Sequence, residues 1–508
     1  MRPLPSPITP ILPSTRTWPL HDVAASRRLE QAALAATPPH ALMQRAGLAL
    51  ARLAAAIAPH ARRIWVAAGP GNNGGDGLVA ALHLQHWGHA VQVSLLADPA
   101  RLLDDAADAY RQALAAGVPM QPSLPTQVDA DLCLDALLGL GASRAPAGVI
   151  AEAIARLNAQ GAPVLAVDLP SGLHADTGWP LDAAGGAVVR ATHTLSLLSL
   201  KPGLFTGAGR DLAGRVWLDT LGVDPAGQAA SAWLSGPPAA TPRRHAQHKG
   251  SFGDVIVLGG AAGMGGAALL AARAALTAGA GRVFLARLGG DGLAVDAARP
   301  ELMPRHPADV LAPALLARAT VVCGCGGGTA VAEVLPTVLA HAWRLVLDAD
   351  ALNAIAADAA LARALAARSA PTVLTPHPLE AARLLGCGTA ELQADRVASA
   401  QRLAARLRCT VVLKGSGSVI ATADGPPAIN PTGNARLGTA GSGDVLAGWL
   451  GGGWSQAVDD GTAGAKSAAV ASVWLHGRAA ELASGHPDLP LRAADLIDAM
   501  AAAQPMPG

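Results

Sequence analysis

Aromatic side chains are almost missing from this chain: one tyrosine and three phenylalanines stand beside ten tryptophans in 508 residues. Any core must therefore be filled by Leu, Val and a great deal of Ala. Charge of one sign is missing too. The formal net charge is +1 and no long basic run occurs, so nucleic acid and anionic membrane surfaces are poor partners. Cysteine is sparse, and the five thiols (Cys133, Cys323, Cys325, Cys387, Cys409) are scattered. They form neither a disulfide framework nor a zinc spacing, which suits a reducing cytoplasm. The proline-rich start has no apolar run of signal-peptide length and reads as a loose tail over residues 1–17. One segment, Ala261 to Gly281, has the length and apolarity of a membrane span, but its glycines and Arg273 favour a helix packed on a sheet. A soluble chain is expected.

What is present is apolar sequence, 51% of the residues, and 57 glycines. That composition excludes general disorder, and the length exceeds one ordinary core. From Trp18 to Ala58 the spacing predicts helix. Beyond it, short apolar runs (Ile64–Ala68, Ala90–Leu96, Leu132–Ala136, Val164–Val167) end in glycine or acidic residues and alternate with helical stretches. This predicts α/β units with a mostly parallel sheet covered on both faces. The pattern breaks at Gly236-Pro237-Pro238 and Thr241-Pro242, then restarts at Asp254. Two domains are expected, 18–235 and 236–508.

In the first half, Gly69-Pro70-Gly71-Asn72-Asn73-Gly74-Gly75-Asp76-Gly77 lies between a strand and a helix expected to begin near Leu78. Open parallel sheets bind ligands at such a place. The asparagines interrupt the dinucleotide fingerprint and supply acceptors as well as donors. Asp135 and Asp168 close two further strands on the same rim. Asn73, Asp135 and Ser171 could present oxygens to a weakly held cation, leaving Asp168 as a candidate acid/base.

These motifs, with Asp135-Ala136-Leu137-Leu138-Gly139, Val167-Asp168-Leu169-Pro170-Ser171-Gly172-Leu173 and Lys201-Pro202-Gly203-Leu204, resemble the YjeF N-terminal domain, the NAD(P)HX epimerase, over about residues 18–225. The resemblance implies a Rossmann-like domain. It places contacts to the hydrated nicotinamide on Asn72, Asn73, Gly74, Gly75 and Asp76, on the loop Gly139, Leu140, Gly141, Ala142, Ser143, Arg144 and Ala145, and on Asp168. Potassium ligands are implied at Asn73, Asp135 and Ser171, and proton transfer during epimerisation at C6 at Asp168.

In the second half, Ala440-Gly441-Ser442-Gly443-Asp444 opens an apolar, helix-compatible run. Small residues at a helix start turn unpaired N–H groups toward one point, which favours an anion. Asp444 stands there as a base for a hydroxyl facing a phosphate. Lys414-Gly415-Ser416-Gly417-Ser418 adds a cation and N–H groups at another strand end, and His377 is held between two prolines on a loop. Cys323-Gly324-Cys325 has no metal partners in sequence. KGSFGDV, DADALN, TPHPLEAARLL, LKGSGSVI and AGSGDVLAG, in this order, resemble the ribokinase-like YjeF C-terminal domain, the ADP-dependent NAD(P)HX dehydratase, over about 240–500. The resemblance implies that Lys414, Gly415, Ser416, Gly417, Ser418 and Gly443 hold the nucleotide, and that Ala267, Gly327, His377 and Asp444 contact the hydrated nicotinamide. Ser418 stands where threonine is usual, and Ala435-Arg436-Leu437-Gly438 where the family has Pro-Gly-Met-Ala.

The expected activity is therefore two-step repair of hydrated NADH and NADPH. One domain epimerises the R and S hydrates, and the other dehydrates the S form with ADP and magnesium, releasing AMP and phosphate. The expected setting is cytoplasmic and homo-oligomeric. Two rivals stay open: a small-molecule kinase and a cofactor-binding scaffold without turnover.

Overall fold

Apolar runs of four to six residues, too short for buried helices, form parallel strands in two sheets. The computed structural model describes residues 7–182, 185–240, 242–290, 295–458, 461–486 and 488–505. It divides into two compact units, Met1–Leu234 and Ser235–Gly508.

In the first unit the strand order across the sheet is Thr9–Pro10, Arg215–Asp219, His193–Leu197, Val164–Val167, Leu132–Ala136, Arg63–Ala68, Ala90–Leu95, Met120–Gln121. All pairs are parallel except that made by Thr9–Pro10. Val66, Leu134 and Leu165 are fully buried because helices cover both faces. From Arg63–Ala68 the chain winds outward to Met120–Gln121, then returns to the opposite side at Leu132–Ala136. That reversal opens a crevice beyond the carboxyl ends of these two strands.

Two expectations for this unit are corrected. The tail over 1–17 is not loose where it is described: Thr9 and Pro10 pair with Leu218 and Trp217, and Ile11 is buried. Residues 1–6 lie outside the described residues. The stretch from Trp18 to Ala58 is also not helical throughout, since Trp18–Leu20 is a strand paired with Ala232–Leu234. Helices follow at Val23–Ala36 and Ala41–Ile57, and Asp22 caps the first by accepting from Ala25 N at 2.7 Å.

In the second unit the order runs Met303–Pro304, Arg282–Arg287, Asp254–Gly259, Ala319–Cys323, Arg344–Leu347, Thr372–Leu374, Thr410–Leu413, Val419–Ala421, Ala428–Ile429. It is parallel up to Thr410–Leu413 and antiparallel after it. The winding reverses between Asp254–Gly259 and Ala319–Cys323. The helix Ser442–Trp454 lies against the helix Gly265–Thr277 so closely that a Cβ on Gly448 would sit 2.0 Å from Ala271 O. Glycine there serves helix packing, and the packing aims the first turn at the sheet's carboxyl edge. Of the apolar segment Ala261–Gly281, 13 residues are helical, and among the described residues no helix is long and apolar enough to cross a membrane.

Candidate active sites

The first crevice is a cavity of about 500 Å³, within the range of small-molecule sites. Its wall includes Asn72, Asn73 and Asp76, the loop Gly139, Leu140, Gly141 and Ala142, then Asp168 and Lys201. The helix of the glycine-rich motif begins at Asn72, six residues before the expected Leu78, so Asn72 and Asn73 form its first turn. Gly74 and Gly75 are buried within that helix; a Cβ on Gly74 would meet Gly69 O at 2.0 Å. Ser143, Arg144 and Ala145 are exposed and lie outside the cavity wall.

Asp168 follows its strand with a φ of 62°, a left-handed conformation uncommon for a non-glycine residue. Its Oδ1 accepts from Leu197 N at 3.0 Å and from Lys201 Nζ. Lys201 is 2% exposed and also donates to Leu197 O at 2.9 Å. Two carboxyls beside the pair are pushed upward. Burial, then repulsion from Asp168, raises Glu30 above its ordinary range, and the same two causes raise Asp76 well above its own.

Beneath the cavity, Asp135 and Ser171 are fully buried together. Ser171 Oγ donates to Asp135 Oδ1 at 2.6 Å and Ser171 N to Oδ2 at 2.8 Å. Burial pushes the Asp135 carboxyl up to about 6 against these hydrogen bonds. Asn73 Nδ2 is buried without a partner, and a Cβ on Gly139 would lie 3.0 Å from Asn73 Oδ1. The Asp135 carboxylate, the Ser171 hydroxyl and Asn73 Oδ1 are hard oxygen donors, which fit an alkali cation.

In the second unit, Asp348 ends the strand Arg344–Leu347 and is 2% exposed. Its Oδ1 accepts from Lys414 Nζ and from Thr375 Oγ1, each at 2.8 Å. Burial opposes the charge on Lys414, but Asp348 and Glu380 outweigh it and raise the ammonium above its ordinary value. Asp444 stands in the first turn of its helix, and Gly441 before it has a φ of 87°. A Cβ on Gly443 would lie 3.2 Å from Lys414 Nζ, so the helix start and the lysine share one small space. Burial, then Asp348, pushes Asp444 up to about 6.

Cys325 was expected to lack partners. Folding supplies them: its Sγ lies with a carboxylate oxygen of Asp348 and one of Asp444, all within 4.8 Å of one another. No spacing along the chain could show this, because the three residues come from three different strand ends or helix starts. Burial raises the thiol well above its ordinary value, so it is a thiol and not a thiolate.

The remaining expected residues fall into three groups. Gly415 N donates to Ser418 Oγ at 3.2 Å and Ser418 Oγ back to Gly415 O at 3.1 Å, so the serine closes the turn that carries Ser416 and Gly417. Beneath this turn, buried Arg396 donates to Leu413 O at 3.2 Å and Lys414 O at 3.0 Å, a brace that sequence reading missed. Ala267 abuts the turn Gly324–Gly328; a Cβ on Gly326 would lie 2.9 Å from Ala267 Cβ, and Gly327 N donates to Gly324 O at 3.0 Å. His377 is a helix cap: its Nδ1 accepts from Leu379 N at 3.1 Å and Nε2 faces Glu380 Oε1 at 3.2 Å. Arg436, in the divergent stretch, donates to Ala483 O at 2.8 Å and Ser484 O at 3.0 Å, which makes it a brace for the loop after the helix Thr462–Leu482. Asp348, Lys201, Arg396 and Glu380 carried no assigned role in sequence; for Asp348 and Lys201 a charged residue ending an apolar run was the available signal.

Two parallel-sheet units, each with a buried Lys–Asp pair and further carboxyls at its switch point, have the geometry of an enzyme with two active centres. Comparison with known proteins gives the family. Models described as "YjeF-related protein N-terminus" and "NAD(P)H-hydrate dehydratase" match residues 39–203 and 255–501. The chain is 37% identical over 483 residues to the bifunctional NAD(P)H-hydrate repair enzyme of Escherichia coli (strain K12), covering 92% of this chain and 89% of that one. It is 39% identical over 489 residues to the corresponding enzyme of Gloeobacter violaceus, covering 91% and 93%. Among solved structures, the ADP/ATP-dependent NAD(P)H-hydrate dehydratase from Bacillus subtilis, co-crystallised with ATP and magnesium, is 30% identical with a TM-score of 0.42, covering 52% of this chain and 93% of that one. The chain belongs to the bifunctional NAD(P)H-hydrate repair enzymes and is both an NAD(P)H-hydrate epimerase and an NAD(P)H-hydrate dehydratase.

Proposed function

We propose that Asp444 is the base of an ADP-dependent dehydration and Asp168 the base of the epimerisation. The observation that carries this is the placement of Asp444 in a helix's first turn beside the Lys414–Asp348 pair. Asp444 takes the proton of the C6 hydroxyl as its oxygen attacks the β-phosphorus of ADP, and the bond to AMP breaks. Lys414, the Ser442 and Gly443 amides and the helix dipole hold the negative charge. The ring nitrogen's electron pair then expels phosphate, and loss of a C5 proton restores the dihydropyridine. The turn Gly415–Ser418, closed by Ser418 and braced by Arg396, seats the nucleotide; Ala267, Gly327 and His377 border the hydrated ring. Magnesium would accompany the nucleotide phosphates and neutralise their charge, and Asp348 is the carboxylate that would hold it.

In the first unit, Asn72, Asn73, Asp76 and the loop Gly139–Ala142 enclose the hydrated ring. Asp168, paired with Lys201, takes the C6 hydroxyl proton. Asn73, Asp135 and Ser171 would hold potassium, which would fix the strand ends that carry this cavity. All five thiols are free, which suits a reducing cytoplasm.

The test is recovery of reduced-nicotinamide absorbance from a mixture of R and S hydrates with ADP, ATP or no nucleotide. Full recovery with ADP is expected. Recovery that stalls when the S form is consumed would count against an active first unit, after correction for unaided epimerisation. A stable phosphorylated product would count against dehydration.

A further inference from the structure

The first cavity holds a second carboxyl that the mechanism so far leaves idle. Asp76 lies in the helix Asn72–His86, lines the cavity with Asp168 and Lys201, and is 8% exposed. Among the described residues its carboxyl has no hydrogen bond or ion pair. Its oxygens stay open to the cavity, free to meet a group that arrives with the substrate.

The charged groups around it are of two kinds. Facing it are the carboxyls of Asp168, of Glu30 on the helix Val23–Ala36, and of Asp105 on the helix Asp104–Ala115. The two basic residues of this wall are committed or exposed: Lys201 is paired with Asp168 and Arg27 faces solvent, and beyond the wall His40 Nδ1 is hydrogen-bonded to Asp105 at 2.5 Å. Asp76 therefore has burial and three carboxyls against ionisation and no cation of its own, which together favour its protonated form. Its neighbour Asp168 is instead anchored by Lys201 and Leu197 N. A carboxyl favoured in its protonated form beside one paired with an ammonium supplies a general acid and a general base in one cavity.

We infer that Asp76 is the general acid of the epimerisation, delivering a proton to the ring nitrogen as Asp168 removes one from the C6 hydroxyl. This rests on Asp168 acting as the base. The C6 carbon bears both a hydroxyl and the ring nitrogen. As Asp168 takes the O–H proton, those electrons form the C6–O double bond, and the C6–N1 bond breaks with its pair on N1. Asp76 supplies the N1 proton and becomes a carboxylate. Rotation about C5–C6 presents the other face of the aldehyde. Reclosure returns the N1 proton to Asp76 and the Asp168 proton to the new hydroxyl. No proton, electron or co-reactant is consumed, so one reduced cofactor hydrate becomes its epimer.

The test follows conversion of the S to the R hydrate without nucleotide, with the unaided rate subtracted. Asp76→Asn, nearly isosteric, is expected to lower kcat at least about 100-fold with little change in KM, and to remove the alkaline limb of the pH profile. Asp76→Glu keeps an acid and is expected to recover part of the rate. Independently of turnover and of the variant's catalytic competence, an infrared difference between native enzyme and Asp76→Asn at neutral pH is expected to show the carbonyl band of a protonated carboxyl. Asp76→Asn with near-native kcat and an intact alkaline limb, or no such band, overturns the assignment of Asp76. Asp168→Asn run in parallel separates the two readings: native epimerisation there removes Asp168 as base and the Asp76 proposal with it, whereas an inactive Asp168→Asn beside an active Asp76→Asn removes Asp76 alone.

Discussion

Lys201 is buried against Asp168, and the ammonium donates to the carboxylate at the wall of the first cavity. The second unit repeats the arrangement with Lys414 and Asp348, 2.8 Å apart at the carboxyl edge of its own sheet. Each unit also sets a further carboxyl near its pair, Asp76 in the first and Asp444 in the second, and burial raises the proton affinity of both.

Breaking the first pair has a definite cost. Lys201→Met leaves the Asp168 charge buried and alone, which is expected to destabilise the first unit by about 3–5 kcal/mol and to abolish epimerisation. Lys201→Met combined with Asp168→Asn is expected to regain much of the stability and none of the activity. Denaturant unfolding of the two variants measures this; additive losses would mean the pair is not coupled.

Asp444→Asn is expected to abolish ADP-dependent dehydration and leave epimerisation intact. In the native enzyme the base must be ionised, and burial followed by Asp348 holds it at about 6. Dehydration kcat/KM is therefore expected to fall as pH drops through about 6, and a profile flat across that range would exclude Asp444 as the base.

Asp135 links potassium to pH. Its folded value of about 6 lies above the ordinary 3.8, so folding favours the protonated form. The stability it contributes is complete below about 4 and is lost as pH rises through about 6, a loss on the order of 3 kcal/mol when no cation is bound. A cation favours the carboxylate, so potassium is expected to raise the unfolding temperature at about pH 8 and to have little effect at about pH 4. Thermal scans in potassium and in tetramethylammonium chloride measure this; equal curves at the higher pH would exclude the site.

Gly415 has a φ of 140°, and a Cβ there would lie 2.8 Å from the Arg396 guanidinium. Gly415→Ala is expected to displace either the turn or its brace and to raise the KM for ADP at least about tenfold, with epimerisation unchanged. Initial rates against ADP concentration test this, and an unchanged KM would mean that the turn does not seat the nucleotide.

Much of this molecule was settled along the chain. Apolar runs such as Leu132–Ala136 and Val164–Val167 had no alternative to buried parallel strands, because their length and lack of polar alternation fit nothing else. The ends of those runs placed Asp135, Asp168 and Lys414 on the carboxyl edges, since a strand that stops at a polar residue stops at the rim. Local pattern misled where long-range pairing overrode it. Trp18–Leu20 is a strand only because Ala232–Leu234 pairs with it, and Thr9–Pro10 is ordered only by Arg215–Asp219. Tertiary structure alone decided which groups share a space. Lys201 and Asp168 are 33 residues apart, and Lys414 and Asp348 are 66 apart. Only the winding of each sheet joins them, and only burial beside other carboxyls raises the proton affinity of Asp76 and Asp444. Proton affinity depends on the dielectric and on neighbouring charges, which are properties of packing and not of any residue's place in the chain.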